Sequence, residues 1–231
     1  MDNIDLLLNF GLTRHEASIY TFLFSEGKLN GYEVAKLTGI SRSNTYTALA
    51  GLVDKGAAYT IEESSVYYVP VPIEEFCNNK IRYMNDIKNK LINSMPKKRN
   101  KVHGYISIKG EQNILDRLNN MINDAKERVY LCLSLSKLEK YKDQLQTLVD
   151  KKIKVVIITY FSFDIKGAKV YYSNINKKAI RVIVDSQHVL TGEIEDKDNS
   201  TCLYSSNNNL VEVFKESLSN KIKLIEMNKG E

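Results

Sequence analysis

Through residue 55 the apolar positions recur at intervals of three and four, and short polar or glycine-bearing breaks divide them into helices. The first spans Asn3 to Asn9, with Leu6, Leu7 and Phe10 available to pack and Gly11 as its stop. Thr13 and Glu16 have capping-box spacing: the hydroxyl can accept from the Glu16 amide, and the Glu16 carboxylate can reach back. Ala17, Tyr20, Leu23 and Phe24 continue this second helix until Gly27. Asn30 caps a third helix through Leu37, with Val34 and Leu37 as its apolar side. Gly39 breaks it, and Ser41 opens a fourth helix that runs to about Lys55. There Thr45, Ala48, Leu49 and Leu52 fall at i, i+3, i+4 and i+7, one buried stripe. Lys55-Gly56 places a cation in the last turn and then a glycine, a favoured helix stop.

The period then changes. Ala58–Glu62 and Val66–Val71 are rich in β-formers, and Glu63-Ser64-Ser65 between them predicts a hairpin turn. Pro70 and Pro72 close the hairpin ahead of a helix from about Ile73 to Met95. Pro96 and the basic run 97–101 mark a domain boundary. Beyond it strands at Tyr105–Lys109, Val129–Ser134 and Val155–Tyr160 alternate with helices at Glu111–Lys126 and Lys137–Lys151. Shorter strands follow at Val170–Tyr172, Ile180–Asp185, Val189–Ile194 and Thr201–Tyr204, then a helix at Asn209–Ile225. This order predicts a sheet covered by helices, antiparallel or mixed where the links are short. The fold class is α+β in two domains: a head at 1–72, a linker and dimerisation helix at 73–101, and an α/β domain at 102–231.

The composition of the 231 residues, 43% hydrophobic and 26% charged, suits a chain that buries a core. No apolar window is long enough for a membrane span, and the acidic start MDNID lacks the basic region of a signal peptide. Cys77, Cys132 and Cys202 are odd in number and far apart, so neither a disulfide framework nor a structural metal is expected; no cofactor is implied, and a reducing cytoplasm fits. The net charge of +5 permits nucleic-acid binding. Its distribution matters more. Residues 1–72 hold 5 Lys/Arg against 8 Asp/Glu, residues 73–102 hold 8 against 3, and residues 103–231 hold 20 against 17.

The ordered set helix, glycine-bearing turn, capped helix and hairpin within 30–71 is that of a winged helix-turn-helix. Thr38-Gly39-Ile40-Ser41 supplies the turn, with Ile40 placed to plug the angle between the helices. With Thr45, Ala48, Leu49 and Leu52 inward, the helix that begins at Ser41 presents Arg42, Ser43, Asn44, Tyr46 and Thr47 outward. An arginine can fork onto guanine or phosphate, an asparagine can pair with adenine, hydroxyls can bond phosphates, and the free amides at the helix start favour phosphate. Ser64 and Ser65 form the tip of the wing. Double-stranded DNA is the expected partner. In the helix at 73–95, Cys77, Met84 and Leu91 repeat at seven and Ile87 takes a d-type position, a heptad interrupted by Lys80 and Ser94. A homodimer paired through this helix would set the spacing of two heads on DNA.

The stretches Phe10–Tyr20, Ile40–Leu49, Leu52–Gly56 and Tyr68–Phe76 resemble the head of the TrmB family of transcriptional regulators. The resemblance implies a winged-helix dimer whose recognition helix starts over Ser41–Thr47. Relatives often carry a basic residue where this chain has Thr47. Residues 103–231 resemble, in order of elements, the phospholipase D-like domain found behind the head in part of that family. Active enzymes of that fold need His-x-Lys, with histidine attacking phosphorus and lysine holding the phosphoryl oxygens. The three starts, His15-Glu16-Ala17, His103-Gly104-Tyr105 and His188-Val189-Leu190, all lack the lysine, so the domain is expected to be catalytically inert. Asp185, His188 and Glu193 are instead candidates to line a small-molecule effector site, with a solvated turn as the plain alternative. Two further readings stay open: a protein-interaction module whose winged helix has lost DNA, and a phosphodiesterase-type enzyme.

Overall fold

The computed structural model describes residues 2–96, 104–174, 176–195 and 199–228; the basic run 97–101 and His103 lie outside them. The chain divides into two compact units, Met1–Lys98 and Arg99–Glu231.

The first unit runs α1 (Asn3–Asn9), α2 (Arg14–Glu26), β1 (Leu29–Asn30), α3 (Gly31–Thr38), α4 (Arg42–Asp54), β2 (Ala58–Glu62), β3 (Val66–Pro70) and α5 (Ile73–Ser94). Thr13 and Glu16 form the expected capping box, and Asn30 with Glu33 forms another. Gly39, at φ 70°, ends α3 in the left-handed conformation that turns the chain into α4. The wing has three strands in the order β1-β3-β2, all antiparallel. Its two-residue β1 carries no periodic signal, which is why the sequence pattern predicts only a hairpin. Ile19, Leu23, Leu49, Leu52 and Phe76 are fully buried at the centre. Burial of each such side chain contributes roughly 1.5–3 kcal/mol. Phe76 comes from the first turn of α5, within 5.9 Å of the Tyr20 ring and 6.2 Å of the Phe10 ring. The head's core therefore reaches past residue 72. The Tyr20 hydroxyl donates to the Val71 carbonyl at 2.7 Å, and burial, with Cys77 adding, pushes its pKa up to about 12. Leu7, Leu23 and Val34 are buried as expected, whereas Leu6, Phe24 and Leu37, also expected to pack, are exposed.

The second unit runs β4 (Tyr105–Lys109), α6 (Glu111–Asn123), β5 (Arg128–Cys132), α7 (Leu135–Glu139), α8 (Lys142–Asp150), β6 (Lys154–Thr159), β7 (Lys169–Tyr172), β8 (Ala179–Val184), β9 (His188–Glu193), β10 (Thr201–Ser205) and α9 (Asn208–Met227). One seven-stranded sheet has the order β4-β10-β9-β8-β5-β6-β7. β5, β6 and β7 are parallel, as α8 and a long loop allow; the remaining pairs are antiparallel. One face packs on α6, α7 and α8 through Ile114, Leu118, Leu138, Leu145, Leu131 and Ile157. The other packs on α9 through Cys132, Ile158, Ile183 and Val189 against Val211 and Leu218. The single helix expected over Lys137–Lys151 is two. Buried Tyr141 separates them, its hydroxyl donating to the Leu115 carbonyl at 3.2 Å. The helix from Glu111 stops at Asn123 rather than Lys126, because the amides of 126–128 turn to bond Asp185. Among the described residues no helix is long and apolar enough to cross a membrane.

Candidate nucleic-acid interface

Helix α4 is oriented by its inner stripe. Thr45, Ala48, Leu49 and Leu52 are buried, and the Thr45 hydroxyl donates to the Ile40 carbonyl at 3.3 Å. Ile40 packs on the head core from the turn. Ser41 caps the helix by accepting from the Asn44 amide at 3.4 Å. By helical periodicity the other side is left to solvent, and Ser41, Arg42, Ser43, Asn44, Tyr46 and Thr47 are all exposed. Two of them are held by neighbours that the sequence pattern does not reveal. The Arg42 guanidinium lies 5.0 Å over the Tyr32 ring, and the Tyr46 ring leans on Gly31, where a Cβ would come within 2.4 Å of it. The Thr47 hydroxyl donates to the Ser43 carbonyl at 2.9 Å. Ser64 and Ser65 are exposed at the wing tip. Glu62 and Glu63 precede them, and Lys28 holds Glu63 at 2.6 Å while its ammonium lies 4.4 Å over the Tyr67 ring.

The far end of α4 is fixed by an ion pair between the buried Glu16 and the partly exposed Lys55. Glu16 is 5% exposed; one oxygen accepts from the Thr13 amide and from Lys55 Nζ, both at 2.6 Å. Lys55 also donates to the Gly11 carbonyl at 2.9 Å. The other Glu16 oxygen approaches Gly51 so closely that a Cβ there would lie 2.1 Å away. Lys55 thus does more than end a helix: it ties α4 to α2.

On α5, Met84 and Leu91 are exposed, while Ile87 and Cys77 are half-buried, Cys77 against the head core. Ile81, Ile92 and Met95 are exposed as well. Ile81 lies next to the heptad site of Lys80 and Met95 next to that of Ser94, so the apolar stripe is fuller than the strict repeat suggests. Ile81 and Met84 also line a recess of about 510 Å³ against Phe10.

In the second unit the three candidate effector residues do not converge. Asp185 and His188 flank the β8–β9 turn, whereas Glu193 lies at the other end of β9 and accepts from Asn176 at 3.0 Å. The Asp185 carboxylate is already occupied, accepting from the amides of Lys126, Glu127 and Arg128 at 2.8–2.9 Å. Burial alone would raise its pKa, but these three bonds, with His188 beside them, hold it below the usual carboxylate range. Asp185 and Ser186 both have positive φ, at 52° and 53°, as a tight hairpin turn requires. Asp185 is thus bound into the turn. His188 does face a cavity of about 430 Å³ with Arg117 and Tyr204. Its Nδ1 is 2.9 Å from the Tyr204 hydroxyl, and the Arg117 guanidinium lies 3.7 Å over the Tyr204 ring. Burial first, then Arg117, lowers the imidazole pKa, with Asp185 and Asp124 partly offsetting. Among the described residues no group of three or more His, Cys, Asp or Glu could hold a metal.

Comparison with known proteins agrees with this geometry. Residues 6–74 match the model of the sugar-specific transcriptional regulator TrmB, and residues 105–221, half of the chain, match the TrmB EBD N-terminal subdomain. The uncharacterized protein YrhO of Bacillus subtilis is 28% identical over 178 residues, 76% of this chain and 65% of its own length. The HTH-type sugar sensing transcriptional regulator TrmBL1 of Pyrococcus furiosus is 28% identical over 164 residues, 68% of this chain and 46% of its own. The chain therefore spans less than two thirds of the length of either relative. Among solved structures TrmBL2, an archaeal chromatin protein, is similar over 96% of this chain and 97% of its own at 19% identity, with a TM-score of 0.45. With both of its units matched in order, the head by the TrmB model and the second unit by the TrmB EBD N-terminal subdomain, the chain belongs to the TrmB family of transcriptional regulators.

Proposed function

We propose that the protein binds specific DNA sequences as a homodimer, with the N-terminal turns of α4 in the major groove, and that its second unit senses a small molecule without catalysing a reaction. The observation that carries this reading is the outward polar face of α4: Arg42, Ser43, Asn44 and Thr47 all exposed at the start of a helix whose opposite side is sealed into the core. The charge around it is sparse. Lys28 and Lys55 are spent on Glu63 and Glu16, which leaves Arg42 and Lys36 as the nearby cations free of an ion pair among the described residues. Each head then neutralises few phosphates, and a pair of heads should show a shallow salt slope of roughly −2 to −4 in log K against log salt. Two linked heads regain affinity by avidity. The exposed apolar residues of α5, Met84 and Leu91 with Ile81 and Met95, support pairing with a second copy. Tyrosine at position 105 and leucine at 190, where a His-x-Lys motif starting at His103 or His188 needs lysine, support a non-catalytic second unit.

Arg42→Glu tests the reading by fluorescence anisotropy on DNA from the protein's own genomic neighbourhood. It should abolish binding while leaving the fold intact, because Arg42 is exposed. Unchanged affinity would refute the placement of α4 and favour a head that docks protein, the reading its excess of acidic residues supports.

A further inference from the structure

The face of the sheet that packs on α9 changes character along three neighbouring strands. Taken at alternate positions, β5 presents Arg128, Tyr130 and Cys132, β6 presents Lys154, Val156 and Ile158, and β7 presents Lys169 and Tyr171. Register pairs Arg128 with Lys154 and Val156 with Lys169. Each strand thus places a cation first on this face, and β5 and β6 then run into the apolar contact with α9. Parallel strands covered on both faces ordinarily read as near-continuous apolar runs. Like charges on adjacent strands destabilise the sheet that carries them. The directly opposed pair Arg128–Lys154, with Lys169 opening the next strand, goes against that rule, and such departures concentrate at functional sites.

The cations open into a cleft of about 540 Å³ between the sheet and α9, a size suited to a small ligand. Helix α9 adds Lys215 and Lys223 to its wall, with Glu216 and Glu226 as its carboxylates, so five cations face two anions. Glu226 accepts from the Tyr171 hydroxyl at 2.9 Å. Arg128 meets only the exposed Glu127, at 3.3 Å, and Lys154 lies 5.8 Å over the Tyr130 ring. Among the described residues Lys154, Lys169, Lys215 and Lys223 have no ion pair.

We infer that this cleft binds a small phosphorylated polyol: the phosphate on Arg128, Lys154 and Lys169, and the hydroxyl-bearing part against Tyr130 and Tyr171 within reach of Glu216. A doubly charged phosphate is the anion that several converging cations hold best, while aromatic faces and a carboxylate acceptor suit the C–H and O–H groups of a polyol. The inference rests on the reading of this unit as a sensor and supplies its ligand class. The cavity at His188 is a separate one, on other residues.

Isothermal titration of the full chain with glucose 6-phosphate, inorganic phosphate and glucose tests it. Glucose 6-phosphate should bind, phosphate more weakly, and glucose not detectably. Lys154→Met and Lys169→Met should each weaken glucose 6-phosphate by about tenfold, the loss of one charge-assisted contact. Lys166→Met, on an exposed residue outside the cleft, should change nothing, and unaltered circular dichroism excludes unfolding. Failure of both phosphorylated probes to bind at millimolar concentration overturns the proposal. So does glucose binding as tightly as its phosphate, or a variant that binds as well as wild type. Loss of DNA affinity in Lys154→Met, with no small-molecule binding, would assign these cations to nucleic acid and overturn it too. The two readings separate cleanly: no probe bound but DNA bound removes the site alone, whereas a bound probe that leaves DNA affinity unchanged removes the sensing role alone.

Discussion

Replacing Lys55 by methionine should loosen α4 from the head. The Glu16 side chain is 7% exposed and that of Lys55 31%. Without Lys55 the carboxylate keeps only the Thr13 amide and faces Gly51, where no donor side chain exists. Breaking a fully buried pair from one side costs about 3–5 kcal/mol. Lys55 retains partial access to water, so water can replace part of what it donates, and the cost falls to about 1.5–3 kcal/mol. Methionine covers the same apolar surface, which confines the change to the charge and its hydrogen bonds to Glu16 and to the Gly11 carbonyl. Glu16→Gln keeps the shape and the acceptor for Thr13, and the double variant buries no lone charge. Its destabilisation should therefore fall short of the sum of the singles by about 1–2 kcal/mol. Hydrogen exchange followed by mass spectrometry on the peptide covering 45–55 reads this locally, at a factor of ten in rate per 1.4 kcal/mol. We expect exchange roughly 10- to 100-fold faster in Lys55→Met, with much of it recovered in Lys55→Met/Glu16→Gln. Exchange less than about threefold faster, or strict additivity, would refute the view that this pair anchors the helix.

Two further outcomes bear on the rest of the molecule. Met84→Asp together with Leu91→Asp, both on exposed residues that contribute nothing to the head core, should convert a dimer into monomers in analytical ultracentrifugation without lowering the head's melting temperature; an unchanged sedimentation coefficient would place any pairing elsewhere. Lowering the pH should destabilise the second unit. Both His188 and Asp185 have pKa values below their ordinary ones, so the unfolded chain takes up their protons first and stability falls with pH. The His188 contribution is whole above its ordinary value of 6.5 and is lost as pH falls from there to its lower native value. Asp185 adds a similar loss, starting below its ordinary value of 3.8. Urea midpoints at about pH 7.5 and 5.5 should differ, and His188→Gln should flatten the difference; an equal slope in that variant would contradict the assigned cause.

Where local chemistry decides structure, the sequence alone was legible. Thr13 with Glu16, Asn30, Gly39 and Ser41 place three helix starts and the turn, because capping groups and a left-handed glycine act within four residues. The outward set on α4 follows from its inward stripe by geometry alone. What depends on long-range contact was hidden. Nothing within reach of Lys55 along the chain announces Glu16, and Tyr32 under Arg42 is ten residues from it. Asp185 looked like a free carboxylate because its three amide donors lie at 126–128. The cationic cleft had a faint signal, in that Arg128 and Lys154 each open an apolar strand, but only register brings them side by side.

The most direct test places a photo-crosslinking residue at Ser43 and, as a control, at the exposed Ser25 of α2, in otherwise wild-type protein bound to its operator. Irradiation should join position 43 to a major-groove base at the same offset in each half-site, and should leave position 25 unlinked. Bases captured from position 25, or none from 43 on DNA that is demonstrably bound, would contradict α4 as the reading helix.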